Sequence, residues 1–455
     1  MAKTTFASKI GLIAATVGSA VGLGNIWRFP AETQANGGAA FLVVYIVCLL
    51  LFGIPVMLAE FSLGRGTHTD AVSAFRKLKP GTAWWLTGAL AILASYLILS
   101  FYMVVAGWTF EYLWQSITGD LYDTASAATG NAALDSSFQA KMQQYIYSDS
   151  GPLINTCIMI AINLVVLMGG VQKGIERLSN ILMPVLFLLL LIFGGVALSL
   201  PGAGEGVKFF LQPDFSKITP SVVMNALGQA FFSLSLGMGI LITYASYFPK
   251  NTNLTKTAIT VSLLDLLAAL MMGMIIFPAV ASFGLQGSQL EGTTLVFVTL
   301  PEIFVKMGAT QLWSILFFLL LLVAALTSTI SLAEVSVAWI QDSFKKSRTA
   351  ACLIVILPLF LLSSVCALSF GSLSGIRIAG MNIFDTLDTV ATNIMLPIVA
   401  MFTCIFVGWV VKKGFFKKEL TNNGRLRQPF APLAIFMVKY VAPPLILLIL
   451  LTFFF

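Results

Sequence analysis

Residues 18–30 read Gly-Ser-Ala-Val-Gly-Leu-Gly-Asn-Ile-Trp-Arg-Phe-Pro, inside an apolar stretch that begins near Ile10. Glycine in a helix interior costs about 1 kcal/mol relative to alanine. An arginine at membrane depth costs roughly 2.5–3.5 kcal/mol on insertion scales. A helix that only had to cross a bilayer would carry neither. The pattern predicts unwound backbone whose carbonyls and amides face a ligand. A second interruption, Ser-Leu-Ser-Leu-Gly-Met-Gly at 233–239, lies in another apolar stretch. Asp265 stands alone among apolar residues, and an acid at membrane depth is a functional candidate by default; a protonated, hydrogen-bonded aspartate is the competing reading. Thr327 and Ser328 offer hydroxyls in a third apolar stretch, although on the residues alone they could simply bond back to their own helix. Other chemistries find no support. The chain has one histidine, His68, and its five cysteines (Cys48, Cys157, Cys352, Cys366, Cys404) show no metal or disulfide spacing. Gly22-Leu23-Gly24 lacks the third glycine and the βαβ setting of a nucleotide loop.

The elements that must position these groups are membrane helices. Of 455 residues, 58% are hydrophobic and only 10% charged, against about 25% charged in soluble domains. With about 20 apolar residues per crossing, we read an all-α polytopic protein of eleven spans, near 10–35, 38–65, 83–115, 152–170, 175–200, 220–248, 254–284, 310–343, 348–369, 382–411 and 431–455. The polar stretches 119–150 and 286–308 read as the longest loops. The net charge of +7 is no nucleic-acid signal, because Lys and Arg cluster at the N-terminus and after spans two, four, six, eight and ten. That distribution predicts a cytoplasmic N-terminus with Phe455 outside, and we expect a multi-pass protein of the cell inner (plasma) membrane. The two interruptions fall five spans apart. Many secondary transporters are two five-helix halves, inverted in the bilayer, each opening with a broken helix. We therefore expect a single transporter domain over 1–455, with one repeat at about 10–200, the second at about 220–411 and an extra helix at 431–455.

Gly18–Pro30, the stretch from Gln229 to Tyr247, and Ala324-Ala325-Leu326-Thr327-Ser328 resemble the neurotransmitter:sodium symporters. Their bacterial branch carries amino acids on the LeuT-type fold, and the resemblance covers essentially the whole chain, in the shorter eleven-span form. It implies two co-transported sodium ions. One would use the carbonyls of Gly18, Val21 and Ala324 with the hydroxyls of Thr327 and Ser328. The other would use the carbonyl of Ala20, Asn25, Ser233, the substrate carboxylate and a residue of span seven, for which Asp265 is the candidate. Chloride-dependent relatives lack an acid in this region, so the resemblance implies chloride independence. Monoamine carriers of the family place an aspartate at the position of Gly22. Its absence implies a substrate that brings its own carboxylate, with Tyr102 as that group's partner and the breaks around Ala20, Phe232 and Ser235 receiving the ammonium.

The remaining pocket by resemblance is Ile98, Tyr102, Phe232, Ser233, Ser235, Met238, Ser328 and Leu332, uncharged and suited to an apolar or aromatic side chain. Arg28 with Asp388 is the expected outer gate, supported by Gln229. Lys3 with Asp342 is the inner one, backed by Ser246 and Tyr247. Gly174 and Pro184 would form a hinge in span five. The expected function is sodium-coupled import of hydrophobic or aromatic L-amino acids by alternating access, with the lipid bilayer as surroundings and no nucleic acid and no enzyme activity. A carrier of a small polar zwitterion or ω-amino acid, and a sodium-conducting channel or sensor on the same scaffold, are the alternatives. Glu60 is expected on the unwound backbone of span six, and Glu334 has no partner legible in the sequence.

Overall fold

The computed structural model describes residues 5–123, 131–285 and 294–454. Among these the chain is almost entirely helical, with no strand beyond one isolated bridge between Ile378 and Met381. Nine described helices are long and apolar enough to cross a membrane. A tenth crossing is the bent pair Lys9–Ala20 and Gly24–Ala35, which turns by 53° at its break. The expected sixth span is divided into Pro220–Ser233 and Ile240–Ala245, each too short to be counted alone.

Both broken helices start from ordinary signals and stop for identifiable reasons. Ser8 caps the first, accepting from Gly11 N, and the helix ends where Val21 turns extended, with ψ 100°. Thr219 caps the first half of span six, accepting from Val222 N, with Pro220 at the first position, where its missing N–H costs nothing. That helix gives way at Ser235, Gly237 and Gly239, with φ of 55°, 78° and 71°. Glycine adopts this left-handed region freely. Ser235 does so against a cost of about 1–2 kcal/mol, and its hydroxyl donates to Ser19 O in the other break at 2.8 Å.

The remaining spans pack around this pair. Trp85–Thr118, span three, lies against Thr310–Phe344, span eight, and Leu254–Ser282, span seven, lies against spans one and five. Stretches between the spans contain helices as well. Ala203–Leu211 buries Phe210 against Phe277 and Phe29. In the stretch 286–308, residues 286–293 lie outside the described residues, but 295–307 is helical, with Phe297 beside Tyr112, Phe318 and Trp108. Its run Leu-Val-Phe-Val is apolar, so it folds inward as a cover over aromatic rings. Gly194 and Gly195, within span five, face open space.

Candidate functional site

Breaking a helix at membrane depth frees backbone groups that no water can satisfy, and each must find an internal partner. Side chains of the break itself and of distant spans supply them. Gly22 N donates to Asn25 Oδ1 at 3.2 Å, and Leu23 N donates to the Tyr102 hydroxyl at 3.0 Å. Gly24 O accepts from Gln229 Nε2 at 3.3 Å. Gly237 N donates to Glu60 Oε1 at 2.7 Å, the contact expected of Glu60. Gln229 thus serves the backbone of span one; no hydrogen bond joins it to Arg28 among the described residues.

Between the breaks lies a tight cavity of about 30 Å³, well below the roughly 300–1,000 Å³ of an open ligand pocket. All ten residues expected to bind substrate line it: Ala20, Gly22, Ile98, Tyr102, Phe232, Ser233, Ser235, Met238, Ser328 and Leu332. Ser19, Gly24 and Ile240 line it too; the sequence reading missed them, and only their position at or beside the breaks could have flagged them. No lining side chain is charged. Gly22 has a steric reason to be glycine, since a Cβ there would lie 2.5 Å from Ser328 Oγ and 3.0 Å from the Tyr102 hydroxyl.

Beside the cavity, four fully buried groups form one cluster. Asn25 Nδ2 donates to Asp265 Oδ1 at 2.8 Å and reaches Ser233 Oγ at 3.2 Å. Ser233 Oγ donates to Asp265 Oδ2 at 2.7 Å. Tyr45 of span two, which the sequence reading missed, adds its hydroxyl at 3.3 Å from Ser233 Oγ and 3.5 Å from Asp265 Oδ2. Nothing marks Tyr45 within its apolar run. Three side chains, one of them acidic, turn oxygens into the cluster, and Asn25 turns its amide nitrogen toward them; with that amide reversed the four are a set suited to a hard cation.

Of the residues expected around the second ion, Gly18 and Thr327 lie together: a Cβ on Gly18 would lie 3.2 Å from Thr327 Cβ, while Val21 ends the first helix. The Thr327 hydroxyl bonds back to Val323 O at 3.2 Å and Ala324 O at 3.1 Å. Met183 of span five closes this group from the side, with its Cε 3.5 Å from the same Cβ position.

Of the gate residues, Arg28, Asp388 and Asp342 lie among the described residues. Arg28 lies over the Phe232 ring, 4.6 Å from its centroid. Its ion pair runs to Glu32 one turn along, at 3.9 Å; no Arg28–Asp388 pair within 4.0 Å occurs among the described residues. An acid on the same helix face competes for the guanidinium. Lys3 lies outside the described residues. Asp342 accepts from Asp70 N at 2.9 Å. Phe6 is buried, with its N–H on Tyr247 O at 3.1 Å and its ring edge-on to Tyr244 and Tyr247.

Glu334 has partners after all. Arg348 at the start of span nine grips it with two bonds, at 2.8 and 2.6 Å, and the Tyr247 hydroxyl donates to it at 2.7 Å. Gly174 lies in a π-helical turn, Val171–Glu176, packed on Val166, and Pro184 lies within the helix Arg177–Ser199.

Two broken helices crossing at an uncharged cavity, flanked by oxygen clusters inside a polytopic helical bundle, define a secondary transporter of the LeuT type. The model of the sodium:neurotransmitter symporter family matches residues 3–148 and 139–455. The chain belongs to that family. It is 37% identical over 444 residues to the uncharacterized sodium-dependent transporter YhdH of Bacillus subtilis, covering 98% of this chain and 96% of that one. It is also 37% identical over 419 residues to an uncharacterized sodium-dependent transporter of Methanocaldococcus jannaschii, covering 90% and 82%. Among solved structures, MhsT in complex with L-phenylalanine matches with a TM-score of 0.88 and 41% identity, over 99% of this chain and all of that one. Family and structural neighbours are transporters and not enzymes.

Proposed function

We propose that this protein imports hydrophobic or aromatic L-amino acids together with sodium, independently of chloride. One observation carries the reading: a small cavity without a charged side chain, lying between two helix breaks and next to the buried Asn25–Ser233–Asp265 cluster. A zwitterion's two charges need partners that an apolar pocket lacks. Its carboxylate is met by Tyr102 and the first sodium; its ammonium is met by carbonyls freed in the breaks. Gly22 supplies no acid to replace a substrate carboxylate, which favours amino acids over amines. The structure of MhsT with L-phenylalanine lends support, because that ligand is an aromatic amino acid.

In this reading Asn25, Ser233, Asp265 and the carbonyl of Ala20 hold the first sodium. Asp265 contributes the negative charge that chloride would otherwise bring. Gly18, Val21, Ala324, Thr327 and Ser328 hold the second, once the Thr327 hydroxyl turns from its own helix. Arg28 with Asp388 closes the outer path when the guanidinium leaves Glu32, and Lys3 with Asp342 closes the cytoplasmic one. Span five opens between Gly174 and Pro184 to release the second sodium inward.

A scan of the twenty amino acids with purified protein in liposomes tests the reading. Phe, Tyr, Trp, Leu or Ile is expected to accumulate under an inward Na⁺ gradient, with gluconate in place of chloride. Equal uptake in K⁺, loss of uptake without chloride, or failure of every apolar amino acid would overturn it.

A further inference from the structure

We infer that Glu176 of span five is a positioning residue that holds the N-terminal strap of the protein against span one's first turn and frees it when span five opens. The release half of this inference rests on the Gly174–Pro184 hinge proposed above; the holding half does not. Glu176 is buried, 4% exposed, and its carboxylate serves the strap alone among the described hydrogen bonds. Oε2 accepts from Ala7 N at 2.8 Å. Oε1 accepts from Ser8 N at 3.0 Å and from Ser8 Oγ at 2.8 Å. Ser8 is itself the cap of the helix Lys9–Ala20, so the carboxylate lies at that helix's positive end. No cation pairs with Glu176 among the described residues.

The rest of the strap is gripped on both sides. Gln172 Nε2 donates to Thr5 O at 2.7 Å from span five, and Phe6 is held by Tyr247 from span six. Span one makes room for the arrangement at Gly11, where a Cβ would lie 2.1 Å from Glu176 Oε1. Seven residues further along both helices, Met183 reaches Gly18 beside Thr327. Two turns of span five therefore touch span one twice, once at its cap and once beside the proposed second sodium.

The coupling follows from solvation. A buried carboxylate is tolerated only while its donors stay, so the strap cannot leave unless Glu176 reaches water. Water reaches it when the turns between residues 174 and 184 unwind. That same unwinding carries off the donors' acceptor and withdraws Met183. Strap release and exposure of the second ion are one event.

Hydrogen–deuterium exchange on the full-length transporter in nanodiscs tests this, reading the peptide over residues 5–12 in Na⁺ and in K⁺. Glu176→Gln is expected to speed exchange at Ala7 and Ser8 in Na⁺ roughly tenfold or more, from loss of the charged acceptor. Gly11→Ala keeps the carboxylate but denies it room, and is expected to loosen the same amides. Gly11→Ala/Glu176→Ala is expected to be no worse than Glu176→Ala alone. Wild-type exchange in both Glu176→Gln and Glu176→Ala would overturn the holding role, as would additive effects in the double variant. Pro184→Ala reports separately: an unchanged sodium response of the strap in that variant would overturn the hinge and the release, while leaving the cap standing.

Discussion

Asp265→Asn separates charge from shape at the buried cluster. Asn is isosteric but offers one acceptor oxygen where Asp265 offers two: it can keep the bond from Asn25 Nδ2 at 2.8 Å, uncharged, while its amide nitrogen faces Ser233 Oγ, which must then accept instead of donate. A hydrogen bond to a charged group contributes about 1.5–3 kcal/mol and a neutral one about 1. The larger loss concerns sodium: opposite unit charges about 4 Å apart attract by roughly 4 kcal/mol at an effective dielectric near 20. Desolvation of both charges offsets part of that, leaving roughly 2–4 kcal/mol. Since about 1.4 kcal/mol is tenfold, apparent sodium affinity in substrate binding is expected to fall by about 30- to 1,000-fold in chloride-free buffer. Chloride is then expected to restore much of it, by supplying the missing charge. The assay is a sodium titration of amino-acid binding to purified protein, with and without chloride. A sodium half-saturation within twofold of wild type in gluconate would refute the role of Asp265. Weakened binding with no chloride response would refute the charge-balance argument while leaving Asp265 as a ligand.

Gly22→Ala places a methyl 2.5 Å from Ser328 Oγ; overpacking of this kind costs about 1–3 kcal/mol. Substrate binding is expected to fall about tenfold, with partial recovery in Gly22→Ala/Ser328→Ala, read by equilibrium binding. Glu334→Gln breaks a bidentate pair whose acid is fully buried, a change that typically costs about 3–5 kcal/mol. A lowered melting temperature is expected, with much of the loss recovered when Arg348 is also replaced by methionine. Pro184→Ala restores a helix bond at the proposed hinge; transport is expected to slow while equilibrium sodium and substrate binding stay near wild type, read by comparing uptake with binding on the same preparation.

The sequence located the breaks because interruption has a residue signature: Gly18–Gly24 and Ser233–Gly239 violate the propensity of the helices around them. It located the pocket only through resemblance, since Ile98, Met238 and Leu332 are indistinguishable from ordinary core residues by type. What it missed has a common physical cause. Backbone groups freed at a break carry no residue identity, so nothing along the chain says which side chain will receive them. Gln229 read as a support for Arg28 and instead holds Gly24 O. Tyr45 was one apolar-span residue among many until span two lay against Asp265. Glu334 was visibly in need of a partner, but Arg348 was legible only as one of several loop cations. The outer gate shows the converse. Arg28 was correctly singled out as out of place in a membrane helix, yet Glu32, one turn along, competes for it over a distance the sequence alone displays. A local acid gives the guanidinium a resting place that needs no closure. The proposed gate therefore has two partners for one cation, and both are half-buried: Arg28 and Glu32 are 31% and 28% exposed, and Asp388 is half-buried too. Moving Arg28 from one acid to the other trades one partly desolvated pair for another, so bound substrate beneath Phe232, on whose ring the guanidinium rests, can decide the exchange.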